Sequence, residues 1–439
     1  MTAMSNSNIT DVSAARMCSN CGACSAICPT DAIGFKFSNI GRLYAVVDDE
    51  KCINCGLCRK TCPSLDMQNL HSTYPDPYLG KINDILVGRC ADEQLFVNAQ
   101  SGGACSATVS YLFRTGKIDA AIVCGMEAGN PPVVSARLIT GIEGLKVTQK
   151  SCYTPVDMLS TLKAAKGYES IAVVGLPCHM QGVEALMRLN RFKNIRYRLG
   201  LICDRTLCNT IQDVFCSMSG LFPDYEIVWR HKLLFHNNLC LQYKTAPVTV
   251  TSKGKDIRVF PNTFRFLLKD FFTSPRCRVC SDKLNVFADI VFGDPWRMTE
   301  VDEERGSSLV ITRTASGSEL IREMMDAGEL ALTPRPLGQL IDGQVIEPRK
   351  AQIAAYSRAA GVIPDKIDSY LYRQEEARHV SETEEEAARQ SIKKFMDTDQ
   401  LPKSVIIKKA RRHIQKELWM QRLHVRGIVR RIKKFIPLK

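Results

Sequence analysis

Eight cysteines near the start of the chain fall into two runs of one form. Cys18, Cys21, Cys24 and Cys28 are followed by Pro29, and Cys52, Cys55, Cys58 and Cys62 by Pro63, so each run reads C-x2-C-x2-C-x3-C-P. The stretches CSNCGACSAICP and CINCGLCRKTCP lie 34 residues apart and agree at seven of twelve positions, Asn20/Asn54 and Gly22/Gly56 among them. That is a duplicated unit. Three thiolates on one tight loop can hold three irons of a cubane, while the fourth points away and serves the neighbouring cluster. The spacing therefore assigns Cys18, Cys21, Cys24 and Cys62 to one [4Fe–4S] cluster and Cys52, Cys55, Cys58 and Cys28 to a second. Gly22 and Gly56 are expected to let the backbone wrap closely around sulfide, and the prolines to end the local helices. Zinc would use only four ligands and leave the tripled cysteines redundant. A disulfide knot would need an oxidising compartment.

Further along, the residues able to do chemistry stand where strands and helices are expected to meet. Ser101-Gly102-Gly103 opens a helical stretch through Arg114 with Gly116 as C-cap, either as a phosphate cradle or as a plain helix entry of small residues. Ala120 to Cys124 and Ile171 to Val174 read as buried strands. The second runs into Gly175-Leu176-Pro177-Cys178 and a helix from about Gln181 to Leu189. Leu199 to Cys203 and Phe287 to Phe292 are further strands, the latter closing on Gly293-Asp294-Pro295-Trp296. Leu309 to Thr312 and a helix near Glu319 complete a mixed α/β body. Cys277 and Cys280 form a CxxC in a basic loop, which suits a redox dithiol, half of a zinc site or half of a cluster site. Cys178 and Cys203, at strand ends, can supply the remaining ligands. Asp204, Asp282, Asp289 and Asp294 are the nearest carboxylates and read first as caps or turn residues. His179 reads first as a satisfied, partly buried side chain, and as a proton donor second.

The composition frames these sites. The chain has 439 residues, 45% hydrophobic and 24% charged, with 19 cysteines. That is room for about three domains and too apolar for disorder. The longest apolar runs fall far below the ~20 residues of a membrane span, and MTAMSNSNITD lacks a signal-peptide pattern. The protein thus reads as cytoplasmic, with its cysteines serving metal or redox chemistry. The net charge of +13 is local: thirteen Lys and Arg against Glu417 lie between Lys403 and Lys439.

Residues 10–70 resemble the bacterial dicluster ferredoxins. Residues 15–325 as a whole resemble the beta subunits of coenzyme F420-reducing hydrogenase and dehydrogenase, a family related to ferredoxin-dependent reductases of chlorophyll metabolism. Four stretches carry the likeness: Gln100-Ser101-Gly102-Gly103; Lys150-Ser151 with Tyr153; Val174-Gly175-Leu176-Pro177-Cys178; and Cys277-Arg278-Val279-Cys280 leading to Ala288-Asp289-Ile290 and Gly293-Asp294. The resemblance implies a noncovalent FAD beside an iron–sulfur cluster. It makes Ser101, Gly102, Gly103, Lys150, Ser151 and Tyr153 flavin neighbours, with Gly175 and Pro177 less central. Spacing and resemblance together make Cys178, Cys203, Cys277 and Cys280 ligands of a third [4Fe–4S] cluster, with Cys208 or Cys152 as a substitute for one of them.

The domain layout expected is a dicluster ferredoxin domain (1–72) and a flavin-binding part (73–155). A second part with flavin and third-cluster residues (156–330), a connecting and charged helical region (331–400) and a basic tail helix (401–439) follow. In the tail, Ile407, Ile414, Leu418, Val425, Ile428, Ile432 and Phe435 form an amphipathic stripe, suited to docking on the protein itself or a partner, or to an anionic membrane surface. Nucleic acid is not expected, since no recognition motif is present. Function is expected to be electron transfer between a ferredoxin-like or hydrogenase/dehydrogenase partner protein and a small two-electron substrate, coenzyme F420 or another. The alternatives are a relay subunit with clusters and no flavin, and a biosynthetic accessory protein with structural clusters.

Overall fold

The computed structural model describes residues 8–65, 76, 78–232, 234–235, 239–240, 246–252, 256–360 and 380–435. Most of the proline-containing link from Tyr74 to Tyr78 lies outside them. The N-terminal unit holds helices α1 (Thr10–Ala14) and α2 (Ala23–Ile27), the antiparallel hairpin β1 (Ile33–Phe37) and β2 (Leu43–Val47), and α3 (Leu57–Lys60).

The body follows with β3 (Asp84–Cys90), α4 (Glu93–Asn98), α5 (Ala104–Arg114), β4 (Ala120–Glu127) and β5 (Val133–Ile139). Next come β6 (Ile171–Gly175), α6 (Pro177–Arg188), β7 (Ile195–Leu201), α7 (Thr210–Ser219) and β8 (Tyr225–Val228). After two short strands, β9 (Leu234–Phe235) and β10 (Leu239–Cys240), the chain forms β11 (Val248–Ser252), β12 (Asp256–Phe260), α8 (Thr263–Phe272) and α9 (Pro275–Arg278). It then adds β13 (Ile290–Gly293), β14 (Ser308–Thr312), α10 (Ala315–Asp326) and β15 (Leu330–Pro334). The result is the mixed α/β class that the sequence indicates.

Eight strands make one sheet in the order β15-β3-β14-β13-β7-β6-β4-β5. Its centre, β4-β6-β7-β13, is parallel, and the outer pairs are antiparallel. Side chains alternate across a strand, and the two cores show that period. Ala120, Ile122, Ile171, Val173 and Val291 face one apolar cluster, while Ala121, Val123, Ala172, Ile290 and Phe292 face the other. Both faces are covered, which is why these strands read as continuous apolar runs. On the first face the core includes α6 through Met180, Val183 and Leu186, together with Ala23, Ala26 and Ile27 of α2. The ferredoxin unit thus shares its core with the sheet. A separate three-stranded sheet, β12-β11-β8, packs with α7 and α8 in a third cluster.

The C-terminal region departs from expectation. The stretch from Gly338 reads in sequence as a weakly patterned connection, yet it contains α11 (Leu337–Gly343) and α12 (Ile346–Ala360). Val345, at a φ of 48°, separates the two helices, so no single apolar period runs through them. The rest of that connection, to Tyr372, and the start of the glutamate-rich stretch at Gln374 lie outside the described residues. The charged helix is α13 (Glu382–Asp399), capped by Ser381 and Glu384. Its charge reads in sequence as a solvated helix, yet Phe395 is buried in the third cluster, and Asp399 meets Arg16 at 3.3 Å and accepts from Ser38 at 2.6 Å in the ferredoxin unit. The tail helix α14 (Lys403–Phe435) docks on the protein's own body through Ile406, Ala410 and Ile414. The stripe visible in the sequence omits the first two, and its members from Val425 onward lie outside the described side chains. No helix among the described residues is long and apolar enough to cross a membrane.

Candidate functional site

The two cysteine runs build two nests. Cys18, Cys21, Cys24 and Cys62 line one cleft of ≈310 Å³, and Cys28, Cys52, Cys55 and Cys58 line another of ≈340 Å³. Each nest takes three thiols from one run and the fourth from the other. The backbone explains the residues the runs share: Asn20 and Asn54 have φ of 52° and 53°, Gly22 and Gly56 of 90° and 72°, a left-handed region that Gly and Asn tolerate best. Gly22 has a second reason, different from the one the sequence suggests. A Cβ there would meet Ser160 N at 2.6 Å and Asp157 O at 2.8 Å, so its close approach is to the body's backbone.

The nests differ in depth. Cys18, Cys21 and Cys24 are buried, whereas Cys55 is exposed. In the inner nest, burial raises the Cys24 thiol well above its ordinary value, and Cys21, Cys18, Cys62 and Cys58 raise it further. Burial likewise pushes Cys62 up to about 12. Thiols crowded so that their ionised forms repel one another suit a site completed by metal. Backbone N–H groups already point at sulfur, from Asn20 to Cys18 and from Ala32 to Cys28, both at 3.4 Å.

Cys178 and Cys203 stand just past the carboxyl ends of the parallel strands β6 and β7, where sites on such sheets form, and Cys277 and Cys280 act electrostatically on both. Cys178 lies in the first turn of α6, which starts at Pro177, ahead of the start at about Gln181 read from the sequence. Proline suits that first position, and His179 Nδ1 accepts from Leu176 N–H at 3.1 Å. Cys203 follows β7, its N–H bonded to Lys283 O at 3.0 Å, and Cys277 sits in α9. Burial, then Cys21, Cys203, Cys280 and Cys277 in turn, raise the Cys178 thiol. Arg349 ties the loops together, donating from Nη2 to Cys277 O at 3.0 Å and Cys280 O at 3.1 Å. Cys208 is buried in the third apolar cluster, and Cys152 interacts with Cys124.

The other predicted residues gather beside this group. Gln100 Oε1 accepts from Ser151 N at 3.2 Å, joining the 100–103 and 150–153 segments. Gln100 also donates to Arg230 O, and Lys232 Nζ donates to Ser101 O at 2.6 Å. Arg230 meets Tyr153 Oη at 3.3 Å and Asp294 Oδ2 at 2.7 Å. The Arg265 guanidinium stacks 4.1 Å from the Tyr153 ring centroid, and Arg230 lies 5.7 Å from that of Trp296. Lys150 adopts a φ of 82°. Gly103 caps α5 at a φ of 78°. Gly102 is pressed on the protein itself, since a Cβ would lie 2.4 Å from Ser308 N and 2.5 Å from Gly88 O. Ala104 N–H donates to Ser308 Oγ at 3.4 Å. Gly175 and Pro177 lie at the end of β6 beside Cys178.

The flanking acids are partnered. Asp282 accepts from Gln181 and the Val286 N–H, and Asp289 binds Arg198 through both carboxylate oxygens. Burial alone would raise Asp204, but Arg205 and then Arg349 hold it down at about 2. Burial lowers His179 to about 4 and leaves it a neutral helix cap. Sequence reasoning does not single out Arg230, Lys232, Arg265, Arg276 or Arg349. Only the Arg276-Cys277-Arg278 clustering hints at cations near the cysteines.

Two cysteine nests joined to a mixed sheet define an iron–sulfur protein with an N-terminal dicluster unit. Residues 17–65 match the 4Fe-4S dicluster domain. Residues 85–163 and 168–336 match the N-terminal and C-terminal parts of the coenzyme F420 hydrogenase/dehydrogenase beta subunit, and the chain belongs to that family. It is 26% identical over 344 residues to an F420H2 dehydrogenase subunit of Methanosarcina mazei, covering 76% of this chain and 89% of that one. It is 25% identical over 272 residues to the coenzyme F420 hydrogenase subunit beta of Methanosarcina barkeri, covering 59% and 84%. The coenzyme F420-dependent sulfite reductase of Methanocaldococcus jannaschii is 26% identical over 69% of this chain, which spans only 45% of that protein. The fold resembles a chain of the F420-reducing [NiFe] hydrogenase complex from Methanosarcina barkeri, with a TM-score of 0.51, 22% identity and coverage of 67% and 98%.

Proposed function

We propose that the protein is an iron–sulfur flavoprotein that passes electrons between a one-electron carrier protein and a two-electron organic partner. The contiguity of its sites carries this reading. The outer cysteine nest shares crossed ligands with the inner one, Cys21 of the inner nest lies against the Cys178 helix, where a Cβ on Gly182 would stand 3.4 Å from its Sγ, and Leu207 N, just past Cys203, bonds Tyr153 O at 2.7 Å. Cys178, Cys203, Cys277 and Cys280 are the ligands of a third [4Fe–4S] cluster in this reading. FAD, when bound, supplies the exchange between single electrons and a hydride.

The donor set suits such a cofactor. Arg230, Arg265 and Lys232 place positive charge beside Ser101, Ser151 and Tyr153 for phosphate oxygens, and Tyr153 and Trp296 offer aromatic faces. Asp294 and Tyr153 keep Arg230 charged against the cost of its burial, so the chain orients its cation before any ligand arrives. Gly102 and Gly103 act by letting the 100–103 turn press onto β3 and the Ser308 backbone, which fixes Ser101 and Gln100.

Coenzyme F420, named for the relatives, is the two-electron partner that the family favours. A hydrogenase or dehydrogenase subunit or a ferredoxin-like protein is the one-electron partner, received at the exposed Cys55 side. Exposed Lys408, Lys409, Arg411, Arg412 and Lys416 of the tail helix present a basic face to such a subunit. A peripheral membrane role would have to rely on that face, because the apolar stripe packs on the protein itself as far as Leu418. The test is anaerobic mixing of the purified protein with a reduced ferredoxin while flavin absorbance is followed. Bleaching of the flavin, with recovery on adding oxidised F420, is expected. Clusters that reduce with no flavin band present would leave the relay subunit.

A further inference from the structure

We propose that Arg276 is a fixed positive charge shared by two cysteine groups, a positioning residue that holds them together and makes both easier to reduce. The inference rests on the reading above that Cys178, Cys203, Cys277 and Cys280 hold a cluster.

Arg276 immediately precedes Cys277 on α9 and is only 5% exposed. Its Nε donates to Ser64 Oγ at 3.1 Å, and Ser64 Oγ donates to Met17 O at 2.6 Å. Ser64 is two residues past Cys62, and Met17 directly precedes Cys18. One buried chain of hydrogen bonds therefore links the sequence neighbours of Cys277, Cys62 and Cys18. Cys280, then Cys178, Cys277 and Cys62, each act on the charge of the guanidinium.

The neighbouring arginines are satisfied differently. Arg278 donates to Thr273 O and Asp270 O, with the Asp270 carboxylate at 3.9 Å. Arg349 donates to backbone carbonyls. Among the described residues no carboxylate forms an ion pair with Arg276. A buried guanidinium without a counter-charge is costly, and arginine does not escape by losing its proton. The anionic groups within reach are the thiolates and what they bind. A cation close to an iron–sulfur centre favours its reduced, more negative state, since nearby charge and burial set such potentials. The outer nest, where the cation near Cys28 is Lys163, serves as the internal reference.

The experiment is an anaerobic redox titration followed by electron paramagnetic resonance on the full-length holoprotein, with iron counted in each sample. R276Q removes the charge, R276K keeps it, and S64A removes both hydrogen bonds of Ser64 while keeping the charge. With R276Q, reduction of the inner-nest and strand-end clusters should become about tenfold less favourable, about 59 mV for a one-electron couple. The outer cluster should stay within about twofold, and R276K and S64A within about threefold of wild type. R276Q with full iron and unmoved potentials overturns the inference, as does an R276K shift equal to that of R276Q. Should R276Q fail to retain iron, R276K decides: near wild type supports the role of charge, and a tenfold loss overturns it. Wild-type protein with about eight irons instead of about twelve removes the strand-end cluster itself and so fails the underlying reading. About twelve irons with unmoved potentials fails Arg276 alone.

Discussion

The two families of cysteine sites are built by opposite means. In the ferredoxin unit the ligands are neighbours in sequence, and left-handed Asn and Gly residues turn the chain around each nest. Cys178, Cys203 and the Cys277–Cys280 pair are remote in sequence: the first two follow the parallel strands β6 and β7, and the pair lies on α9 and the loop after it. A local site depends on a loop, whereas a distributed one depends on a whole framework. The two meet because α2 of the ferredoxin unit is part of the sheet's own core.

The largest effect that would sharpen this contrast is ligand loss. Cys178→Ser should remove about four irons and leave the ferredoxin-type signals intact. Cys24→Ser should remove the same number and also lower the thermal midpoint, because its helix packs on the sheet. Iron analysis with calorimetry checks both.

A glycine pair comes next. Gly102→Ala has nowhere to place its methyl and should cost about 3 kcal/mol. In Gly34→Ala the Cβ meets nothing nearer than Val46 at 3.9 Å, so β1 should be unharmed or gain about 0.5 kcal/mol. Anaerobic denaturant titrations of the two variants measure the difference.

The tail gives a smaller step. Ile406→Ala should destabilise by about 2 kcal/mol, with little change for exposed Val405→Ala. Protease sensitivity beyond Lys403 would report whether the helix has come away.

Smallest is a pH effect. Burial, with Lys150 adding to it, lowers His231 from 6.5 to about 4. Its folded pKa lies below the unfolded one, so its contribution is complete above about pH 6.5 and is lost as pH falls toward 4. His231→Gln should flatten the pH dependence of stability across that window by about 1 kcal/mol, since the group is only partly buried. An unchanged slope would show that His231 is not held neutral.

Legibility in the sequence follows the same divide. The nests can be read because spacing alone defines them, and the central strands because burial on both faces makes them uniformly apolar. Strands β3, β5 and β15 escape a linear reading, since Arg89 and Arg137 interrupt the first two, and Asp84 and Pro334 stand at the ends of β3 and β15, at the sheet's outer positions. Helices α11 and α12 are hidden by the break at Val345. The cations around the sites are the hardest to see. Arg276 and Arg349 look like surface residues in a linear reading, and their partners Ser64 and Cys280 lie 212 and 69 positions away. Gly22 stands out in the sequence, but its second close neighbour, the body's Ser160 backbone, is invisible from the cysteine run.

The most direct test of the account is the iron, sulfide and flavin content of protein purified without oxygen. It predicts about twelve irons and about twelve sulfides, with about one FAD per chain. About eight irons, with no flavin present or taken up on reconstitution, would contradict it and leave a ferredoxin-like relay.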